Sequence, residues 1–128
     1  MTTAVRKRPK HLDLFKIRLP IPGIVSILHR ISGAALFLFF LPLGLSALQG
    51  SLESVDGFAR WAAILGSPLA KLILIGFVWA YMHHFCAGIR YLFLDVHKGI
   101  DLATARLTSQ IVIGASLVLT LLIAIKLW

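Results

Sequence analysis

The chain is short of acid and nearly without cysteine: five Asp and Glu stand against thirteen Lys and Arg, and Cys86 is the single cysteine in 128 residues. A lone cysteine excludes an intrachain disulfide, and its place inside an apolar run makes it a small packing residue. The basic N-terminal stretch has neither the apolar core of a secretory signal nor a small-residue cleavage site, so the N-terminus is expected to be retained. A mitochondrial presequence is disfavoured as well, because only a short tail precedes the first polar cluster. No internal repeat or low-complexity segment is visible. Charge of either sign is scarce, at 14% against 59% hydrophobic residues, and it collects outside the long apolar runs. With a mean hydropathy of +0.90, this excludes a soluble domain, whose helices would alternate apolar and charged positions. The expectation is an all-α membrane protein of one domain.

A net charge of +8 would suggest nucleic-acid binding in a soluble chain, but its distribution points to a membrane instead. Arg6, Lys7, Arg8, Lys10, Lys16 and Arg18 precede the first apolar run, and Arg90, Lys98 and Arg106 flank the second connection. The connection between them carries Glu53, Asp56 and Arg60. Since positive flanks stay on the cytoplasmic side, the N-terminus and the later loop are expected inside and the earlier loop outside. Three crossings then leave the C-terminus outside, with a bacterial inner membrane as the simplest setting.

The spacing predicts a cytoplasmic and interfacial segment over 1–22, then spans over 23–48, 68–94 and 107–127. Pro20 and Pro22 disfavour helix before them, so the first helix restarts near Gly23, and Pro42 should bend it. Residues 50–67 form an outer loop with a short helix in which Trp61 is an interfacial anchor. Ser67 and Pro68 are a start signal for the second span, and Lys71 can extend back to the outer interface.

Two polar groupings interrupt this apolar plan. Ser26, His29 and Arg30 stand at i, i+3 and i+4 where the first helix enters the bilayer, which places a hydroxyl, an imidazole and a guanidinium on one face. Separately they read as a backbone-bonded serine, a headgroup histidine and an inside-positive arginine. Together they can bind and polarise a carbonyl oxygen or pair an acidic substituent. His84 lies eleven residues before Asp95, roughly 16 Å along a helix and near the middle of the membrane. A neutral imidazole there is a candidate iron ligand, and Gly88 one turn later leaves room for a flat macrocycle. The alternative is a hydrogen bond to a neighbouring helix, with Gly88 permitting close packing. His83 points about 100° away and reads as packing or a partner contact. Arg90 lies beside the His84 face and could neutralise Asp95 or a ligand's acidic group.

The run Ser26-Ile27-Leu28-His29-Arg30-Ile31-Ser32-Gly33, together with His84, Gly88-Ile89-Arg90 and Asp95, resembles the cytochrome b membrane-anchor subunits of bacterial succinate dehydrogenase. Arg8-Pro9, Leu12-Asp13-Leu14 and Ile17-Arg18-Leu19-Pro20-Ile21 match the same pattern, so the resemblance covers nearly the whole chain. It implies that His84 is one axial ligand of a heme b and that His29 and Arg30 lie near a heme propionate. Ser26 and Arg30 would help line a ubiquinone site. The resemblance further implies a second anchor subunit supplying the other axial His, an iron-sulfur subunit completing the quinone pocket, and a flavoprotein subunit that oxidises succinate. The chain itself would hold no succinate site. One departure stands out: many members carry a second His directly after Gly-Ile-Arg, where this chain has Tyr91. The alternatives are a b-type subunit of another quinone-linked dehydrogenase or fumarate reductase, and a heme-free anchor or small transporter.

Overall fold

A computed structural model describes residues 17–128. The basic tail and the Leu12-Asp13-Leu14 stretch lie outside the described residues. Helix α1, Ile21–Ala35, starts directly after an extended Pro20 and has a proline in its first turn. Prolines suit this position because they bring no N–H to a turn that could not pair it. The rod continues through a π turn, Leu36–Phe40, into α2, Leu41–Glu53. Pro42 is the cause: in a regular helix its ring would strike the Leu38 carbonyl and leave that carbonyl unpaired. Widening the preceding turn, so that the Leu41 N–H reaches the Leu36 carbonyl, absorbs the misfit. The joined rod of 33 residues is about 50 Å long and overshoots a hydrocarbon core of about 30 Å.

Residues expected as an outer loop are mostly helical. Helix α3, Val55–Gly66, is capped by Ser54, whose hydroxyl accepts from the Gly57 N–H at 3.0 Å. It folds back on α2 where glycine allows backbones to meet: Gly57 lies against the Gly50 carbonyl, and the Trp61 indole covers Gly50. Helix α4, Pro68–Asp95, starts with Ser67 as its cap. It ends in a left-handed turn at His97, φ 60°, with the Lys98 N–H on the Phe93 carbonyl at 2.9 Å. Helix α5, Leu102–Leu127, is capped by Asp101, which accepts from the Thr104 N–H at 2.9 Å. That bond holds the Asp101 carboxyl below its ordinary range.

Helix α4 packs against α1 on one side and α5 on the other, and α1 also touches α5. The interior is made of small residues. Val25, Ala80, Ala87 and Val112 are the buried apolar residues among those described, accompanied by Ser32, Ser109, Ser116 and Thr120. Leu, Ile and Phe side chains point outward along every helix. Lipid removes the hydrophobic reason to bury large side chains, so helices approach on small ones. The α5 hydroxyls close on their own helix, Ser109 on the Ala105 carbonyl at 2.7 Å and Thr120 on the Ser116 carbonyl at 2.7 Å. At the opposite end from the α4–α5 turn, the Lys71 amine donates to the Trp128 carbonyl at 3.1 Å and lies over its ring.

Candidate functional site

The α1–α4 seam brings His29 and His84 together. Their rings stack at 4.2 Å with 11° between planes, and Tyr91 tilts against His29 at 5.0 Å. His84 Nδ1 lies 3.0 Å from the His29 backbone carbonyl. A carbonyl can only accept, so Nδ1 carries the ring proton and the lone pair is left on Nε2. The Ser32 hydroxyl donates to the same carbonyl at 3.0 Å and lies 3.3 Å from Nδ1. His84 Nε2 has no hydrogen-bond partner among the described residues, and the ring is half-buried.

Two glycines make this arrangement possible. A Cβ at Gly33 would stand 2.8 Å from Cε1 of His84, closer than side chains tolerate, so the imidazole fits against α1 because position 33 has no side chain. At Gly88, one turn beyond His84, the nearest side-chain atom to an added Cβ is His29 Nε2 at 3.8 Å, which leaves bare backbone beside the imidazole pair.

Ser26 and Arg30 occupy the same helix but a different exposure. Ser26 is half-buried and Arg30 exposed, and neither contributes a side-chain hydrogen bond to the imidazole pair. The four residues singled out in the sequence therefore fall into an imidazole pair on the seam and a hydroxyl–guanidinium pair at its open edge. Ser32 and Gly33 complete the seam, and the spacing of Ser32 from His29, i to i+3, is the sequence signal that points to its role.

His83 faces the closed interior. It is 0% exposed, lies 5.5 Å from the Trp79 ring, and neither of its nitrogens has a hydrogen-bond partner among the described residues. Arg90 departs from the sequence expectation. Its side chain turns to α5 rather than toward Asp95, with Nε donating to the Thr108 hydroxyl at 3.1 Å and Nη2 to the Ala105 carbonyl at 3.5 Å. The cause is register: Arg90 follows Ala80, His83 and Ala87 at helical spacing on the buried face of α4, and at its depth the neighbours on that face are Thr108 and Ala105 of α5.

The donor set suits a metal carried in a macrocycle rather than a bare ion. Among the described residues no three His, Cys, Asp or Glu side chains converge. The seam instead offers one imidazole nitrogen, oriented by a backbone carbonyl on the other, beside glycine. A carbonyl on the distal nitrogen is the usual way a ligating histidine is held. The residues present fit a heme on this count.

Three long apolar helices and an oriented imidazole on an open seam define a polytopic membrane subunit with room for a prosthetic group at its edge. The chain belongs to the succinate dehydrogenase/fumarate reductase transmembrane subunit family, whose model matches residues 4–123. It is 37% identical over 112 residues to the succinate dehydrogenase cytochrome b556 subunit of Paracoccus denitrificans, covering 88% of this chain and 84% of that one. The same-named subunit of Coxiella burnetii is 32% identical over 123 residues, 95% and 98% of the two chains. The mitochondrial cytochrome b560 subunit of Bos taurus is 35% identical over 104 residues, 80% of this chain and 60% of that one.

Proposed function

We propose that this chain is the heme-binding membrane anchor of a succinate dehydrogenase, and that its α1–α4 seam forms part of the site where electrons from an iron-sulfur subunit reduce ubiquinone. The observation that carries the reading is the His84 ring, held through Nδ1 by the His29 carbonyl with Nε2 left open at the edge of the protein. A heme b bound there would be held by His84 and would supply a one-electron carrier. His83 is passed over because its nitrogens are sealed inside the bundle.

A second imidazole for such a group would come from a second anchor subunit packed on the open seam, in keeping with the half-buried state of His29 and His84. Arg30, always charged and exposed, and His29 face the acidic edge of the bound group. Arg30 with the Ser26 hydroxyl also donates to a quinone carbonyl oxygen, favouring the build-up of negative charge there as the quinone is reduced. Arg30 serves both ligands. The charge asymmetry of the loops supports an N-terminus in the cytoplasm, with this cluster at the cytoplasmic face where the iron-sulfur and flavoprotein subunits would dock, and a C-terminus in the periplasm. Succinate is oxidised in the flavoprotein.

A reduced-minus-oxidised spectrum of the membrane complex tests the reading. His84→Ala should abolish the low-spin b-type signal, and His83→Ala should spare it. A complex without any b-type signal in the wild type would end the heme assignment, and loss with His83→Ala alone would reverse the choice of ligand. Replacing Ser26 should lower quinone reduction while succinate oxidation with an artificial acceptor persists.

A further inference from the structure

Arg90 turns from α4 toward α5, its guanidinium 5.6 Å from the centre of the Tyr91 ring, and among the described residues no carboxylate pairs with it. It is 8% exposed, and its hydrogen-bond partners, the Thr108 hydroxyl and the Ala105 carbonyl, are neutral. A guanidinium has five N–H donors, so most of them remain available. A buried cation at membrane depth without a counter-charge is costly, and such cations are found facing a partner or a polar ligand.

The space beside Arg90 has the shape and polarity of such a ligand. A cavity of about 330 Å³ opens between α4 and α5. Arg90, Lys98 and Thr104 supply its polar wall near the α4–α5 turn, and Phe93, Ile111 and Cys86 are among its apolar lining. Cys86 lies about 13 Å further into the span than Asp95 at the helical rise. The cavity is thus apolar along most of its wall, with Arg90 and Lys98 at the end nearest the headgroups. Asp101 already occupies the N-terminus of α5 as its cap, so an anion entering here relies on the two side-chain cations.

We propose that the α4–α5 cavity binds an anionic phospholipid from the adjacent leaflet, with its phosphate on Arg90 and Lys98 and an acyl chain passing Phe93 and Ile111 toward Cys86. The phosphate provides a counter-charge that Arg90 does not find among the described residues. Basic pockets between membrane helices select acidic headgroups in this way, each cation contributing about fivefold in affinity. The cavity shares no lining residue with the imidazoles of the α1–α4 seam, although the Tyr91 ring lies between Arg90 and His29, and the proposal stands whether or not a heme is bound there.

The test uses the intact complex in a neutral detergent, with maleimide labelling of Cys86 followed on this chain's peptide by mass spectrometry. Phosphatidylglycerol at ten times its half-protecting concentration should slow labelling about tenfold. Phosphatidylcholine and inorganic phosphate should leave the rate near its starting value. Lys98→Gln should raise the half-protecting concentration about fivefold, and Arg90→Gln should raise it further, with Arg90→Lys partly restoring it. Equal protection by phosphatidylcholine means ordinary acyl solvation and overturns the proposal, as does protection by inorganic phosphate alone or none at all. Loss of the b-type spectrum in Lys98→Gln would assign the cations to the prosthetic group instead. Should Arg90→Gln fail to assemble, the wild-type lipid series and Lys98→Gln decide.

Discussion

Helix α4 has two seams, and they treat polar groups in opposite ways. Toward α5, the hydroxyls of Ser109, Ser116 and Thr120 bond the backbone of their own helix, so they act as small packing residues. Toward α1, Ser32 and the His29 carbonyl meet His84 of another helix. A polar group satisfied within its own helix tolerates replacement by another small residue. One satisfied across two helices fixes how they face each other and which of its remaining atoms stay free. The difference explains why equally polar stretches have unequal claims to be a site, and Arg90, which bonds across to α5, falls on the side of function.

The sharpest way to break this comparison is a side chain at Gly33. Gly33→Leu should remove the b-type signal as completely as His84→Ala, because its Cβ alone would stand 2.8 Å from the imidazole. Gly114→Ala on α5, where an added Cβ has nothing within 4 Å, should leave the spectrum unchanged. Full retention of the signal in Gly33→Leu would show that the seam's geometry does not hold the ligand.

Arg30→Ala should come next, lowering quinone reduction by about tenfold or more, the equivalent of a charge-assisted hydrogen bond. Succinate oxidation with an artificial acceptor should change little; a parallel loss of both would instead indicate failed assembly. Ser32→Ala is a milder change, costing about 1 kcal/mol as one neutral hydrogen bond. It should shift the midpoint potential of the b-type signal while keeping its low-spin form, whereas Ser116→Ala should shift nothing. A potential identical to wild type in Ser32→Ala would remove Ser32 from the site.

The smallest effect concerns the turn that joins α4 to α5. Asp101 has a carboxyl lowered by its bond to the Thr104 N–H, so its contribution to stability is fully present above the ordinary carboxylate range and is lost as pH falls through the lowered value. Asp101→Asn keeps a capping acceptor and should flatten that acid dependence in thermal unfolding of the complex. An unchanged slope would mean that the cap does not couple to stability.

The three apolar helices could be read from residue order, since runs of that length have few other uses and Ser67-Pro68 marks a start by its chemistry. The candidate seam was legible only in part. Ser26, His29 and Arg30 share a face by spacing, yet a helix face is wide enough for α4 to take His29 and leave Arg30 outside. Which of the two is taken depends on the crossing of the helices, and no local pattern encodes that. The Asp95 half of the reading of Arg90 fails for the same reason: its spacing from Asp95 is visible in the chain, whereas the α5 hydroxyl that captures it is not. The helical outer segment was underestimated because its stability comes from Gly50 and Gly57 letting two backbones touch, a tertiary effect that local propensity disfavours.

The π turn at Leu36–Phe40 makes the first rod a jointed part. Each helical residue turns the chain by about 100°, and the wide turn takes up one extra residue without passing that rotation to the helix beyond it. The half carrying His29 and Ser32 and the half that docks α3 therefore keep their phase across it. Deleting one residue inside Leu36–Phe40 would close the rod into a regular helix with its two halves near their present phase, whereas one more residue that no wide turn absorbed would swing the α2–α3 hairpin by about 100° around the rod.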